Sequence, residues 1–212
     1  MNILLVDDHA VVRQGYASLL RAALPAMQVR EAANGEEALA RVLEEVPNLV
    51  IMDFGLPGIS GLETTRRLRQ RLPQLRVLFF SMHDELPLVR QALEAGASGY
   101  LTKSSPPQVL IEAVQRVLAG HAYIEQALAT QLACTPQAGA SDPRLQSMTQ
   151  RELEIFVMLA RGTPAREIAE QLCISTKTVS NHLTLLKSKL QVSSHAQLVH
   201  LGIDMGVVRV AG

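Results

Sequence analysis

The chain has 212 residues, is 48% hydrophobic and 19% charged, and balances 20 Lys and Arg against 20 Asp and Glu. That length accommodates two small domains, and no stretch approaches the roughly 20 uninterrupted apolar residues that a membrane-spanning helix needs. No basic segment with a small-residue cleavage site precedes the first apolar run, so a cytoplasmic protein is expected. Cys134 and Cys173 lack metal-like spacing and read as reduced, structural thiols.

Over residues 1–120 short apolar runs alternate with amphipathic stretches. The runs lie at 3–6, 27–31, 49–52, 77–80 and 98–101, and the stretches at 10–24, 35–46, 61–72, 86–96 and 106–119. Five repeats of strand then helix predict a parallel, doubly wound α/β sheet with right-handed crossovers, the flavodoxin-like (βα)5 order. The third run, Leu49-Val50-Ile51-Met52, is apolar throughout and reads as a strand buried on both faces. It ends in Asp53, and the Gly55-Leu56-Pro57-Gly58 turn then carries the chain away. A dinucleotide-binding sheet would place Gly-x-Gly-x-x-Gly after its first strand. Here that turn is Asp7-Asp8-His9-Ala10-Val11-Val12, which excludes it.

In such sheets ligands sit outside the carboxyl ends of the strands. Those ends carry Asp7 and Asp8, Asp53, Ser81 and Lys103. Three carboxylates in one crevice raise one another's pKa unless a cation neutralises them. Oxygen ligands in an open crevice suit Mg²⁺, and a lysine with a hydroxyl can hold two oxygens of a phosphoryl group. The set fits an aspartate nucleophile that accepts phosphate. Piece by piece a plainer account exists: an Asp-Asp pair caps a helix, and a lone Ser or Lys trims a surface. His9 reads as a packed or solvated residue at a helix start.

The segments Val6-Asp7-Asp8-His9, Met52-Asp53-Phe54-Gly55-Leu56-Pro57-Gly58 and Gly99-Tyr100-Leu101-Thr102-Lys103 resemble those of response-regulator receiver domains. The resemblance implies that Asp53 is the phosphoacceptor. It implies too that Asp7, Asp8, Asp53 and the backbone carbonyl of Gly55 hold Mg²⁺, that Lys103 contacts the phosphoryl group, and that Ser81 swings towards it. Tyr100 matches the aromatic that turns inward with that hydroxyl, a two-state packing element; edge-strand filler is the alternative. Gly55 and His83 stand at places where receivers vary. An aspartyl-phosphatase enzyme would need an acid at Gly55 for proton transfer, so no enzyme is expected.

After Gly120 the alternation ends. Residues 121–132 could form a helix, and the small, polar and proline residues at 135–143 mark a linker, assigned to 121–146. Residues 147–212 read as a smaller all-α domain. Thr149 with Glu152 three residues on is a capping box. Leu153, Phe156, Val157, Leu159 and Ala160 give that helix an apolar face, closed by Gly162. A short helix over 165–172, a tight connection at 173–175 and a helix over 176–190 form a helix-turn-helix. Val179, His182, Leu183, Leu186 and Leu190 are the expected buried stripe of the last of these. From Gln171 to Ile203 there are three lysines, three histidines and no acid, a basic stripe on a neutral chain. Asn181 suits adenine, Ser180 and Thr184 suit base edges or phosphates, and Lys177, Lys187 and Lys189 suit phosphates. A solvated polar face is the competing account. A last helix, from 194 to about 205, carries enough apolar surface to face either its own domain or a partner subunit.

Met148-Thr149-Gln150-Arg151-Glu152-Leu153-Glu154, Glu167-Ile168-Ala169-Glu170-Gln171-Leu172 and Thr178-Val179-Ser180-Asn181-His182 resemble the LuxR-type DNA-binding domain. The whole chain thus resembles a NarL/FixJ-type response regulator. The resemblance implies a phosphoprotein of a two-component system: a transcription regulator phosphorylated by a sensor histidine kinase that binds double-stranded DNA as a homodimer when phosphorylated. Ser180 stands where the family often has lysine, and Ala165-Arg166 where it has Asn-Lys. A helical domain that docks proteins rather than DNA is the alternative from another class.

Overall fold

A computed structural model describes residues 1–134, 143–172, 174–205 and 207–208. The linker segment at 135–142 and Cys173 lie outside the described residues. Cα packing divides the chain into two units, Met1–Asp84 with Val89–Ala129, and Glu85–Leu88 with Thr130–Gly212.

Alternating strands and helices run β1 (Asn2–Val6), α1 (Ala10–Ala23), β2 (Gln28–Ala32), α2 (Gly35–Glu44), β3 (Leu49–Met52), α3 (Gly61–Arg71), β4 (Arg76–Ser81), α4 (Leu86–Glu94), β5 (Gly99–Thr102) and α5 (Pro107–Leu118). These five strands are parallel, in the order β2-β1-β3-β4-β5. This is the doubly wound sheet that the repeats predict. The pleat sends successive side chains to opposite faces. Ile3, Leu5, Leu49, Ile51, Leu78, Phe80 and Leu101 therefore share one core with Leu20, Leu110, Val114 and Val117. The alternate residues Leu4, Val6, Val50, Met52, Phe79 and Tyr100 are buried as well. Both faces are covered, which is why the strands read as continuous apolar runs. Each such aliphatic side chain contributes about 1.5–3 kcal/mol by leaving water.

One element departs from the sequence reading. Residues 121–132 do not form one helix: Tyr123–Ile124 add a sixth strand, β6, and α6 (Gln126–Cys134) starts after it. Gly99 makes room for the new strand, because a Cβ there would lie 2.4 Å from the carbonyl oxygen of Tyr123. Pairing with a neighbour lacking a side chain is a tertiary event that helical periodicity cannot register.

The second unit holds α7 (Pro143–Gln146), α8 (Gln150–Ala160), α9 (Ala165–Gln171), α10 (Thr176–Leu190) and α11 (His195–Asp204). Leu153, Phe156, Ile168, Val179, Leu186, Leu190 and Leu198 form its interior. His182 and Leu183 are half-buried at the margin of that interior, as are Leu201 and Ile203 of α11. Gln191, left-handed at φ 56°, ends α10. No helix among the described residues is long and apolar enough to cross a membrane.

The capping box at α8 forms: the Thr149 hydroxyl accepts from the Glu152 N–H, and the Glu152 carboxylate accepts from the Thr149 N–H at 2.7 Å. Lys189, near the end of α10, donates to the same carboxylate at 2.6 Å and to the Ser147 carbonyl at 3.0 Å. Burial alone would raise the Glu152 pKa, but Lys189 and the Thr149 groups hold it below the ordinary carboxylate value. A carboxyl depressed on folding stabilises above its unfolded pKa and loses that contribution as pH falls through the folded one. Acid unfolding followed by circular dichroism should therefore show this unit losing stability below the ordinary glutamate range. Lys189→Ala should cost about 0.5–1 kcal/mol at neutral pH and flatten that slope.

Candidate functional site

Strand register, set by the apolar runs, delivers the polar residues to one place. Val6 is paired with Met52, so the next residues, Asp7 and Asp53, emerge side by side. The Asp53 N–H continues the ladder onto the Val6 carbonyl at 2.9 Å. Ser81 pairs with Thr102, and the Lys103 N–H extends that ladder onto the Ser81 carbonyl at 2.7 Å. Each side chain thus leaves the sheet at its carboxyl edge.

Lys103 binds the cluster together. Its ammonium lies 2.7 Å from Asp53 Oδ2 and 2.8 Å from Asp7 Oδ2, with all three side chains at 8% exposure or less. The other Asp53 oxygen accepts from the Phe54 N–H at 2.7 Å. Asp7 Oδ1 accepts from the His9 N–H at 2.8 Å, and Arg13 donates to the Asp7 carbonyl. Burial pushes the Asp53 carboxyl above the ordinary aspartate value; Lys103 pulls it back and the Asp7 charge adds to the rise. For Lys103 burial works against the charge, yet the attraction of Asp53 and Asp7 outweighs it and its pKa is raised. The ammonium therefore stays charged.

Asp7, Asp8, His9 and Asp53 each bring a ligand atom within 4.8 Å of the others. His9 Nδ1 is 2.7 Å from Asp8 Oδ1 and 3.6 Å from Asp7 Oδ1, so this residue stands closer to the acids than a helix-start histidine suggests. Three carboxylates beside one lysine leave surplus negative charge, and the donors are hard oxygens. That donor set fits a divalent cation such as Mg²⁺. The residues read from the sequence as carboxylates and cation of one site are brought together.

Ser81 and Tyr100 meet through a residue that the sequence left in the background. The Ser81 hydroxyl accepts from the His83 N–H at 3.2 Å, and the Tyr100 hydroxyl donates to the His83 carbonyl at 2.9 Å. Tyr100 is fully buried and stacks on Phe79 at 6.0 Å between centroids. Phe54, beside Asp53, packs edge-on against the His83 ring. His83 thereby joins the hydroxyl to the aromatic through its own backbone.

Gly61 is a second such residue. It opens α3, and a Cβ there would lie 1.9 Å from the backbone oxygen of Asp53. A glycine at a helix start gives no hint of this close approach, which depends on how α3 folds back on β3.

In the second unit Lys177, Ser180, Asn181, Thr184 and Ser188 are exposed on α10, and Lys187 is half-buried. The Ser180 hydroxyl donates to the Thr176 carbonyl and the Thr184 hydroxyl to the Ser180 carbonyl, each at 3.0 Å. Lys189, expected at a phosphate, has its ammonium on Ser147 and Glu152. Nothing in the sequence spacing marks that pairing.

Comparison with known proteins gives two domain matches. The model of the response regulator receiver domain matches residues 3–115, and that of bacterial regulatory proteins of the luxR family matches residues 146–202. The transcriptional activator protein ExaE of Pseudomonas putida is 70% identical over 213 residues, covering 100% of both chains. Response regulator UvrY of Escherichia coli (strain K12) is 35% identical over 208 residues, covering 98% of this chain and 95% of that one. Among solved structures, a LuxR-family two-component response regulator from Aurantimonas sp. SI85-9A1 superposes with a TM-score of 0.60 at 43% identity, covering 62% of this chain and 94% of that one.

The two glycines beside Asp53 separate close packing from open space. Gly61→Ala should lower the stability of the sheet unit by about 1–3 kcal/mol in thermal melts, with amide shifts centred on Asp53. A Cβ at Gly55 meets nothing within 4 Å, so Gly55→Ala should change stability by less than about 0.5 kcal/mol.

Proposed function

The chain belongs to the two-component response regulators, joining a receiver domain to a LuxR-type DNA-binding domain, and from that membership we propose how its residues work. It is a cytoplasmic, phosphorylation-controlled transcription regulator, with the receiver over residues 1–120, a linker over 121–146 and the DNA-binding domain over 147–212. Asp53 accepts a phosphoryl group from the phosphohistidine of a sensor histidine kinase. The observation that carries this reading is the buried Asp53 carboxylate held between Lys103 and the Phe54 N–H, with Asp7 and Asp8 alongside.

An Asp53 oxygen forms the new P–O bond while the donor P–N bond breaks and the histidine leaves with the electron pair. Phosphoryl transfer passes through a loose transition state in which charge spreads over the equatorial oxygens, so positioning and charge stabilisation do most of the work. Lys103 stays protonated beside Asp53 and meets one of those oxygens. Asp7, Asp8, Asp53 and the Gly55 carbonyl would hold Mg²⁺, which supplies positive charge against the incoming phosphate.

The Ser81 hydroxyl turns towards the phosphoryl group and lets go of the His83 N–H. Tyr100 holds the carbonyl of that same residue, so both hydrogen bonds change in one segment. The phosphorylated receiver favours one packing of Ser81, His83 and Tyr100 over the other, and this differential contact shifts the population. The shift favours a homodimer that places α10 of each copy in the major groove of double-stranded DNA. Lys177 and Lys187 meet phosphates, and Asn181, with Ser180 and Thr184, faces base edges. Lys189 braces α10 against α8.

Incubation with Mg²⁺ and a small-molecule phosphodonor should add one phosphoryl group to the intact mass of the wild type and none to Asp53→Asn. Chelation of the metal should abolish the adduct. Duplex binding by the phosphorylated protein should weaken steeply with salt, since each neutralised phosphate contributes about 0.9 to the log–log slope. No adduct together with salt-insensitive binding would overturn the proposal.

A further inference from the structure

Leu185 lies on the face of α10 that the proposed DNA contact uses. It is 56% exposed, whereas its neighbour Leu186 is fully buried in the interior. Asn181 precedes it by four residues and Ser188 follows by three, and both are exposed, as is Thr184. Residues at this spacing share one side of a helix. Among the described residues of the helical unit, no other large hydrophobic side chain is left so exposed.

Single exposed leucines are ordinary on protein surfaces. This one sits in the middle of the face. The hydroxyls beside it, Ser180 and Thr184, donate to carbonyls of their own helix. That leaves Asn181 as the amide and Leu185 as the apolar group in the centre, with Lys177 exposed towards the start of the helix. No acid interrupts the sequence from Gln171 to Ile203. Charge complementarity thus favours a polyanion as the occupant of this face.

Resting on the DNA-binding reading above, we infer that Leu185 is a specificity-determining residue that reads the 5-methyl group of thymine in the major groove. The thymine methyl is the one apolar group on the groove's floor. Against it the leucine removes apolar surface from water on both sides. Against guanine or cytosine the same side chain would strip water from O6, N7 or N4 and offer no hydrogen bond in return, an outright penalty. Asn181 makes a bidentate contact to the N6 and N7 of adenine. Four residues of helix rise about 6 Å, so the adenine and the thymine lie within one or two base pairs of each other. Each half-site carries an A·T-rich core for this reason.

Selection from a random-sequence duplex library with the full-length phosphorylated protein, wild type and Leu185→Ala, provides the test. The selected wild-type duplex is then remade with single thymines replaced by deoxyuridine, which lacks only the methyl. One thymine per half-site should be required, and its replacement should weaken wild-type binding about three- to fivefold, the change that one buried methyl-sized group accounts for. Leu185→Ala should tolerate any base there and bind the thymine and deoxyuridine duplexes alike. The deoxyuridine comparison uses unaltered protein, so it does not depend on how the variant folds. Enriched sequences that Leu185→Ala keeps unchanged, or wild-type binding indifferent to every thymine methyl, overturn the inference alone. If the wild type enriches no sequence, the DNA-binding reading falls and this inference with it.

Discussion

The ammonium of Lys103 between the carboxylates of Asp7 and Asp53 is the interaction on which the receiver unit turns. Taking one carboxylate out of water is expensive, and placing two side by side is worse. A single positive charge within 3 Å of both makes the arrangement tenable without neutralising it. The residual negative charge, carried on hard oxygen donors, suits the crevice to a divalent cation.

Everything around that triad serves to hold it at the edge of the sheet. Parallel register places Asp7 beside Asp53 and Lys103 beyond Ser81, so a one-residue slip in any of the three pairings among β1, β3, β4 and β5 would dismantle the site. Gly61 lets α3 close over the Asp53 carbonyl, and Phe54 and Phe79 pack beneath. His83, gripped by Ser81 on one side of its backbone and Tyr100 on the other, is where the proposed phosphorylation of Asp53 would become a change in packing. A buried aromatic has few alternative positions in a close-packed core, which is why small movements of this kind resolve into discrete states.

The helical unit spends its charges differently. Lys189 ties the end of α10 to the capping box of α8 and so fixes the recognition helix from behind. Its ammonium supports the scaffold, while the exposed face has few long cations and one large apolar side chain. On the proposed reading Asn181 and Leu185 of this face fit base edges while Lys177 and Lys187 meet phosphates, and binding through two copies supplies the affinity that one lacks.

Strand runs, helix caps and the clustering of Asp7, Asp8, Asp53, Ser81 and Lys103 at strand ends were legible in the sequence, because burial on both faces and the period of a helix leave direct marks on residue order. The helix-turn-helix and its acid-free α10 were legible for the same reason. Tertiary structure alone decided β6, whose pairing depends on the missing side chain of Gly99, and the role of Gly61, whose contact lies across a turn. It also decided that His83 links Ser81 to Tyr100 through backbone atoms, which no side-chain pattern encodes. The commitment of Lys189 to Glu152 rather than to solvent was decided there too, since two residues 37 positions apart become partners only once α8 and α10 have packed.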